Sequence, residues 1–196
     1  MRDSCGQSIL LTGLSGAGKT TLANAVAARL TQRGQPAEVL DGDTVRRQLW
    51  PELGLSREDR EQNLHRIATV ACLLARNGVV VLVSAIAPYA QARHDLRVSH
   101  AEAGVGFAEV HVATPLDVCR QRDVKGLYAR CDRGEISGLT GVDAVYEQPE
   151  SPELRLDTSW ETVEQSASRL TAFISTAFTD TAFTGTGHRP VVRAAQ

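Results

Sequence analysis

The period of the apolar positions changes repeatedly along the chain, and each change predicts a new element. Residues 8–12 form a short apolar run that ends in a glycine-rich turn. From about residue 18 to residue 33, Leu22, Val26, Ala27 and Leu30 recur on one helical face, and Gly34 with Pro36 stops that helix. Residues 37–40 read as a second strand, closed by Asp41-Gly42-Asp43. Ser56, with Asp59 three residues later, forms a helix start; Leu64, Ile67, Ala71 and Leu74 then keep helical spacing, so a helix spans about 57–77 before Gly78. Residues 79–84 make a third strand, 89–101 an amphipathic helix and 107–113 a fourth strand, with Pro115 opening the next helix. Residues 154–156 are a short last strand, and Thr158 with Glu161 resembles a capping box for a helix running to about Phe178.

Strands alternating with helices imply a parallel sheet covered on both faces. The longest apolar stretch, 79–87, is about half of a membrane span and suits a strand buried on both sides. From about 122 to 148 the chain holds charged residues and glycines without apolar period, more than a connector needs, and the expectation is a lid. One domain is expected over 1–178, followed by a flexible tail over 179–196, where Thr, Gly and Ala predominate.

Composition narrows the partners. The 196 residues are 42% apolar and 22% charged, which excludes collagen-like, disordered and membrane classes. With 21 basic and 23 acidic residues the formal charge is -2, so no broad positive field draws in nucleic acid or a membrane surface, and any anion must be held locally. Four scattered cysteines form no CxxC pair and five histidines show no HExxH spacing, so neither a zinc site nor a redox motif is read from them. The cysteines read as reduced thiols of a cytoplasmic protein, and no signal peptide is expected, because the first apolar run is short and lacks a cleavage pattern.

Gly13-Leu14-Ser15-Gly16-Ala17-Gly18-Lys19-Thr20 matches GxxxxGK[ST] in full, between a predicted strand and a predicted helix, and with Thr21 it is the expected ATP-binding segment. In that setting backbone N–H groups turn inward around phosphate oxygens and the helix start adds positive charge. Lys19 stands near the outer phosphates, and Thr20 is a magnesium ligand. Such a loop also serves GTPase switches, motor ATPases and inert nucleotide-binding modules, so the acceptor side decides the activity. No strand ends in an apolar run followed by Asp, so further carboxylates for the metal come from Asp41 and Asp43, at the carboxyl edge where parallel sheets bind ligands; a plain acidic turn is the alternative. Phosphoryl transfer to a hydroxyl needs a carboxylate on the nucleophile and cations on the moving group. Asp43 suits the first role, while Arg46, Arg60 and Asn63 are placed to grip an anionic acceptor.

These residues resemble the adenylylsulfate kinase family, which phosphorylates the 3'-hydroxyl of adenosine 5'-phosphosulfate. The resemblance runs over about residues 8–178 and rests on GLSGAGKTTLA at 13–23, LDGDTVR at 40–46, LGLSREDREQNLHRI at 53–67 and APY at 87–89. PLDVCRQRDVKGLYAR at 115–130 and GEISGLTGVDAVYEQPESPELRLDT at 134–158 complete it. It implies an α/β, P-loop NTPase-like, doubly wound parallel sheet with a lid, ATP with magnesium as donor, a nucleotide acceptor and a homodimer. It further implies Asp43 as general base, with Lys19 and Lys125 on the phosphates and Thr20, Asp41 and Asp43 on the metal, partly through water. Acceptor contacts are implied for Asp41, Asp43, Arg46, Leu55, Arg60, Asn63, Ile86, Ala87, Lys125 and Leu139. The chain departs from the family at three of these. Ala87 replaces a serine regarded in some members as a phosphoserine intermediate, and a methyl group accepts no phosphoryl, which leaves direct in-line transfer. Leu55 and Leu139 replace phenylalanines that sandwich the acceptor's adenine, so an apolar clamp remains without an aromatic face. A kinase for another nucleotide and a catalytically idle nucleotide sensor are the competing readings.

Overall fold

Ile9, Leu10 and Leu11 are all fully buried, which requires a strand covered on both faces. They lie on β1 (Gln7–Thr12) in the computed structural model, which describes residues 6–177. The chain then runs through α1 (Lys19–Gln32), β2 (Ala37–Asp41), α2 (Gly42–Leu49), α3 (Arg57–Arg76), β3 (Val80–Ser84) and α4 (Ala90–Glu102). β4 (Gly106–Val112), α5 (Leu116–Arg122), α6 (Leu127–Asp132), β5 (Leu154–Leu156) and α7 (Val163–Ala177) follow. The strands form one parallel sheet in the order β2-β3-β1-β4-β5.

The two-residue period of the strands sorts their side chains onto two cores. Ile9, Leu11, Val80, Leu82 and Val110 pack with Leu22, Val26 and Leu30 of α1 and with Leu170 and Ile174 of α7. Leu10, Val81 and Val83 pack instead with Leu64, Ile67 and Ala71 of α3 and Leu96 of α4. Helices therefore cover both faces, and the strand order turns around β1. This is a doubly wound α/β sheet, as the alternating pattern predicts. The register aligns Asp41 with Ser84, Ser84 with Leu11 and Thr12 with His111, so the carboxyl ends of four strands share one level.

Most strand and helix ends fall within a residue or two of the predicted ones, but three features differ. α2 was not expected: it is only eight residues long, buries little beyond Gly42 and Val45, and is started by Asp41, whose Oδ1 accepts from the Thr44 N–H at 3.0 Å. The capping box of the last helix is Thr162 with Gln165, not Thr158 with Glu161. Thr162 Oγ1 accepts from the Gln165 N–H at 3.2 Å and Gln165 Oε1 from the Thr162 N–H at 2.8 Å. The aperiodic 122–148 stretch contains α6, a helix too short to show an apolar period. Asp123, at φ 29°, follows α5, and its two carboxylate oxygens accept from the Tyr128 and Ala129 N–H groups at 3.1 and 3.0 Å, which starts α6. The start made by Ser56 is present, with Oγ accepting from the Asp59 N–H at 3.1 Å. Cys72, Cys119 and Cys131 are free thiols. Cys5, Phe178 and the expected tail over 179–196 lie outside the described residues.

Candidate active site

The phosphate loop leaves β1 at Gly13, where a Cβ would stand 2.4 Å from the Val112 carbonyl oxygen, so no side chain fits. It enters α1 through Gly18, at φ 97°, a left-handed conformation that glycine adopts without strain. Neighbouring elements hold its outer curve. Thr114 Oγ1 and Thr158 Oγ1 both donate to the Ala17 carbonyl, at 3.0 and 2.9 Å, and Tyr128 Oη donates to the Ser15 carbonyl at 2.9 Å. Arg122 Nη1 and Nη2 donate to Thr158 Oγ1 and to its carbonyl, both at 2.7 Å. Thr158, displaced from its expected capping role, is thus a buttress of the loop.

Lys19 is buried on the loop's inner side, with Nζ donating to the Gly13 and Leu14 carbonyls at 2.9 and 2.7 Å. Burial, assisted by the charge of Lys125, lowers it to about 8. Thr20 Oγ1 donates to Asp41 Oδ2 at 2.8 Å and lies 2.9 Å from Ser84 Oγ. The last residue of β3 thereby brings a hydroxyl to the position where a carboxylate was sought. Ser84 is not among the residues that the sequence points to, since a serine lacks the charge that marks a metal ligand; its place at the end of an apolar run is the signal it offers. Thr20, Asp41 and Ser84 form an all-oxygen cluster at the loop's mouth, the donor type that suits magnesium sharing its shell with phosphates and water.

Asp43 lies two residues beyond Asp41, in the first turn of α2. Its Oδ2 accepts from Lys125 Nζ at 2.6 Å and its Oδ1 from Arg46 Nη2 at 3.1 Å, so its carboxylate faces cations rather than Thr20. Burial raises its carboxyl, but the hydrogen bond and charge of Lys125, with Arg46 and Lys19, outweigh that and hold it below the usual carboxylate range. It is ionised at neutral pH. Arg60 bridges two segments: Nε donates to the Leu55 carbonyl at 2.8 Å, Nη1 to Thr140 Oγ1 at 3.1 Å and Nη2 to the Gly138 carbonyl at 3.1 Å. Asn63 Nδ2 donates to the Gly42 carbonyl at 3.3 Å.

All of this surrounds a cavity of about 1400 Å³ at the carboxyl edge of the sheet. Of the predicted site residues, Ser15, Gly16, Gly18, Lys19, Thr20 and Thr21 line it, as do Asp41, Asp43, Arg46, Leu55, Arg60 and Asn63. Ile86, Ala87, Lys125 and Leu139 complete that wall. Gly13, Leu14 and Ala17 do not line it; they stand behind, with their carbonyls committed as above. Leu139 is buried while Leu55 is 61% exposed. The cavity is large enough for a nucleotide, and Leu55 and Leu139 share its lining with Lys19, Arg46, Arg60 and Lys125.

Among known proteins, the family model described as adenylylsulphate kinase matches residues 5–157. The adenylyl-sulfate kinase of Rippkaea orientalis is 50% identical over 165 residues, which cover 84% of this chain and 89% of that protein. A probable adenylyl-sulfate kinase of Pyrococcus abyssi is 50% identical over 163 residues, 83% of this chain and 91% of that one. The structure of the Mycobacterium tuberculosis APS kinase in complex with AMPPNP and APS superposes with a TM-score of 0.85 at 44% identity, covering 87% of this chain and 98% of that chain.

Proposed function

The chain belongs to the adenylylsulphate kinase family and is an ATP-dependent kinase, and from that premise we propose how it works and on what. The acceptor is adenosine 5'-phosphosulfate, phosphorylated at its 3'-hydroxyl to give 3'-phosphoadenosine 5'-phosphosulfate and ADP. The observation that carries this reading is the meeting of Lys19, the Thr20–Asp41 pair and the Asp43–Lys125 pair around one cavity.

In the proposed reaction the acceptor oxygen attacks the γ-phosphorus, the bond to the β–γ bridging oxygen breaks, and ADP departs with that electron pair. Asp43, ionised, orients the attacking hydroxyl and takes its proton. Lys19 and Lys125 counter the charge on the moving phosphoryl, so Lys125 exchanges the carboxylate of Asp43 for phosphate oxygens. Thr20, Asp41 and Ser84 would hold magnesium, with Asp43 reaching it through water; the ion would neutralise charge on the β and γ phosphates. Ala87 offers no nucleophile, so transfer is direct. The 122–148 stretch acts as a lid that excludes water, a role supported by its contacts to the phosphate loop through Tyr128 and to α3 through Arg60. A cytoplasmic setting, where ATP is supplied, and a homodimeric particle belong to the same reading.

A second reading is favoured by Leu55 and Leu139. Both line the cavity without an aromatic face, and base stacking on an aromatic ring contributes about 1–3 kcal/mol. On that reading the acceptor is a different nucleotide. An ADP-release assay over a panel of nucleotides decides, with the phosphorylated position assigned by proton–phosphorus NMR. Turnover with adenosine 5'-phosphosulfate and a 3'-phosphate product is the expected result. Turnover only with another nucleotide would hand the assignment to the second reading, and ATP binding without transfer to any acceptor would leave a nucleotide sensor.

A further inference from the structure

Three successive carbonyls between β3 and α4 are each fixed by a different part of the molecule. The Ile86 carbonyl accepts from Thr12 Oγ1 at 2.6 Å, that of Ala87 from Arg93 Nη1 at 2.8 Å, and that of Pro88 from the Glu147 N–H at 2.8 Å. Between them Ala87 stands at φ 46°, a left-handed conformation that is strained for a residue with a Cβ. The three bonds therefore hold a shape that the free peptide would leave. Ile86 and Ala87 line the cavity, so this pinned stretch is a wall of it.

Thr12 sits where these restraints cross. It is fully buried, is the last residue of β1 and directly precedes Gly13. Its one hydroxyl proton goes to Ile86, so its oxygen is the acceptor in the 3.0 Å contact with Tyr146 Oη, and Tyr146 is the donor. The bonds thus run one way, from Tyr146 O–H to Thr12 O–H to the Ile86 carbonyl. Burial pushes the Tyr146 hydroxyl up to about 12, so it keeps the proton this run requires. Its neighbour Glu147 fastens the same wall again, since Glu147 Oε2 accepts from the Ala90 N–H at 2.6 Å. That amide begins α4, whose N-cap Tyr89 provides no side-chain bond of its own.

We propose that Thr12 and Tyr146 are positioning residues for the acceptor: through the Ile86 carbonyl they couple the far end of the lid to the spacing between phosphate loop and acceptor wall. Neither lines the cavity, and both act through the backbone. The proposal rests on the reading of residues 86–87 as the acceptor side.

Thr12→Val and Tyr146→Phe remove a hydroxyl with little change of shape, and Thr12→Ser restores one. In Thr12→Val the KM for the acceptor is expected to rise about tenfold, the scale of one lost hydrogen bond, while the KM for ATP stays within about twofold. Thr12→Ser should return to within about threefold of the parent. The Thr12→Val/Tyr146→Phe double variant should be no worse than Thr12→Val, because the run is broken once. Amide hydrogen exchange over residues 86–90, read without any acceptor, should quicken in both single variants. An unchanged acceptor KM in Thr12→Val, equal impairment in Thr12→Ser, or additive effects in the double variant overturns the proposal. If Thr12→Val does not fold, Tyr146→Phe carries the same KM test. Should the parent turn over another nucleotide, the same ratios are read with that one, so loss of the substrate assignment leaves the coupling open to its own test.

Discussion

Asp43 shows how much a single side chain's neighbours decide. Held between Lys125 and Arg46, it is a carboxylate kept below its ordinary range, so in the proposed reaction it would orient the acceptor hydroxyl and receive its proton late. Asp43→Asn keeps the shape and removes the charge. Turnover in that variant is expected to fall on the order of 10²- to 10⁴-fold, the range of general base catalysis, with ATP affinity by calorimetry within about twofold. Near-normal turnover would take Asp43 out of the base role. At this scale the sequence was readable where the chemistry is local: the loop from Gly13 to Thr20 declares itself by spacing. Arg60 was harder. A lone helical arginine does not announce that it will bridge the Leu55 carbonyl to Thr140 and Gly138, because the last two lie 80 and 78 residues away along the chain.

Elements were legible where apolar period and length agree. β1 and β3 follow from short apolar runs buried on both faces, and α1 and α3 from helical spacing that buries one face. α2 and α6 did not, being only eight and six residues long and fixed by the side chains of Asp41 and Asp123 rather than by a face. The start of α7 was misread for a related reason: Thr158 and Thr162 each precede an acid or amide by three residues, and only tertiary contacts send Thr158 to Ala17 instead. A chemical test separates the two threonines. Thr162→Ala should lower the free energy of urea unfolding by about 1 kcal/mol, the usual worth of such a cap, with the KM for ATP unchanged. No loss of stability would remove the reassigned capping box.

For the whole molecule, the fold class was readable from the order of elements, and the sheet order that brings β3 beside β1 supplied what the chain could not state: Ser84 beside Thr20. Buried imidazoles contribute to its acid sensitivity. Burial, with the charges of Arg155 and Arg93, pushes His111 down to about 4 from the ordinary 6.5, and burial lowers His100 as well. Between pH 6.5 and 4 the unfolded chain binds more protons than the native one, so stability falls as the pH drops through that window and is unaffected by His111 above it. Urea midpoints should decline over this range, and His111→Gln should flatten the decline by about one proton; an unchanged slope would show that His111 titrates normally. Among the described residues, no helix is long and apolar enough to cross a membrane. Finally, Asp123 closes α5 and founds α6 with one carboxylate. One carboxylate therefore clasps the bend that carries Lys125, two residues on, to Asp43, while Tyr128 at the start of α6 stays anchored in the core beside Ser15.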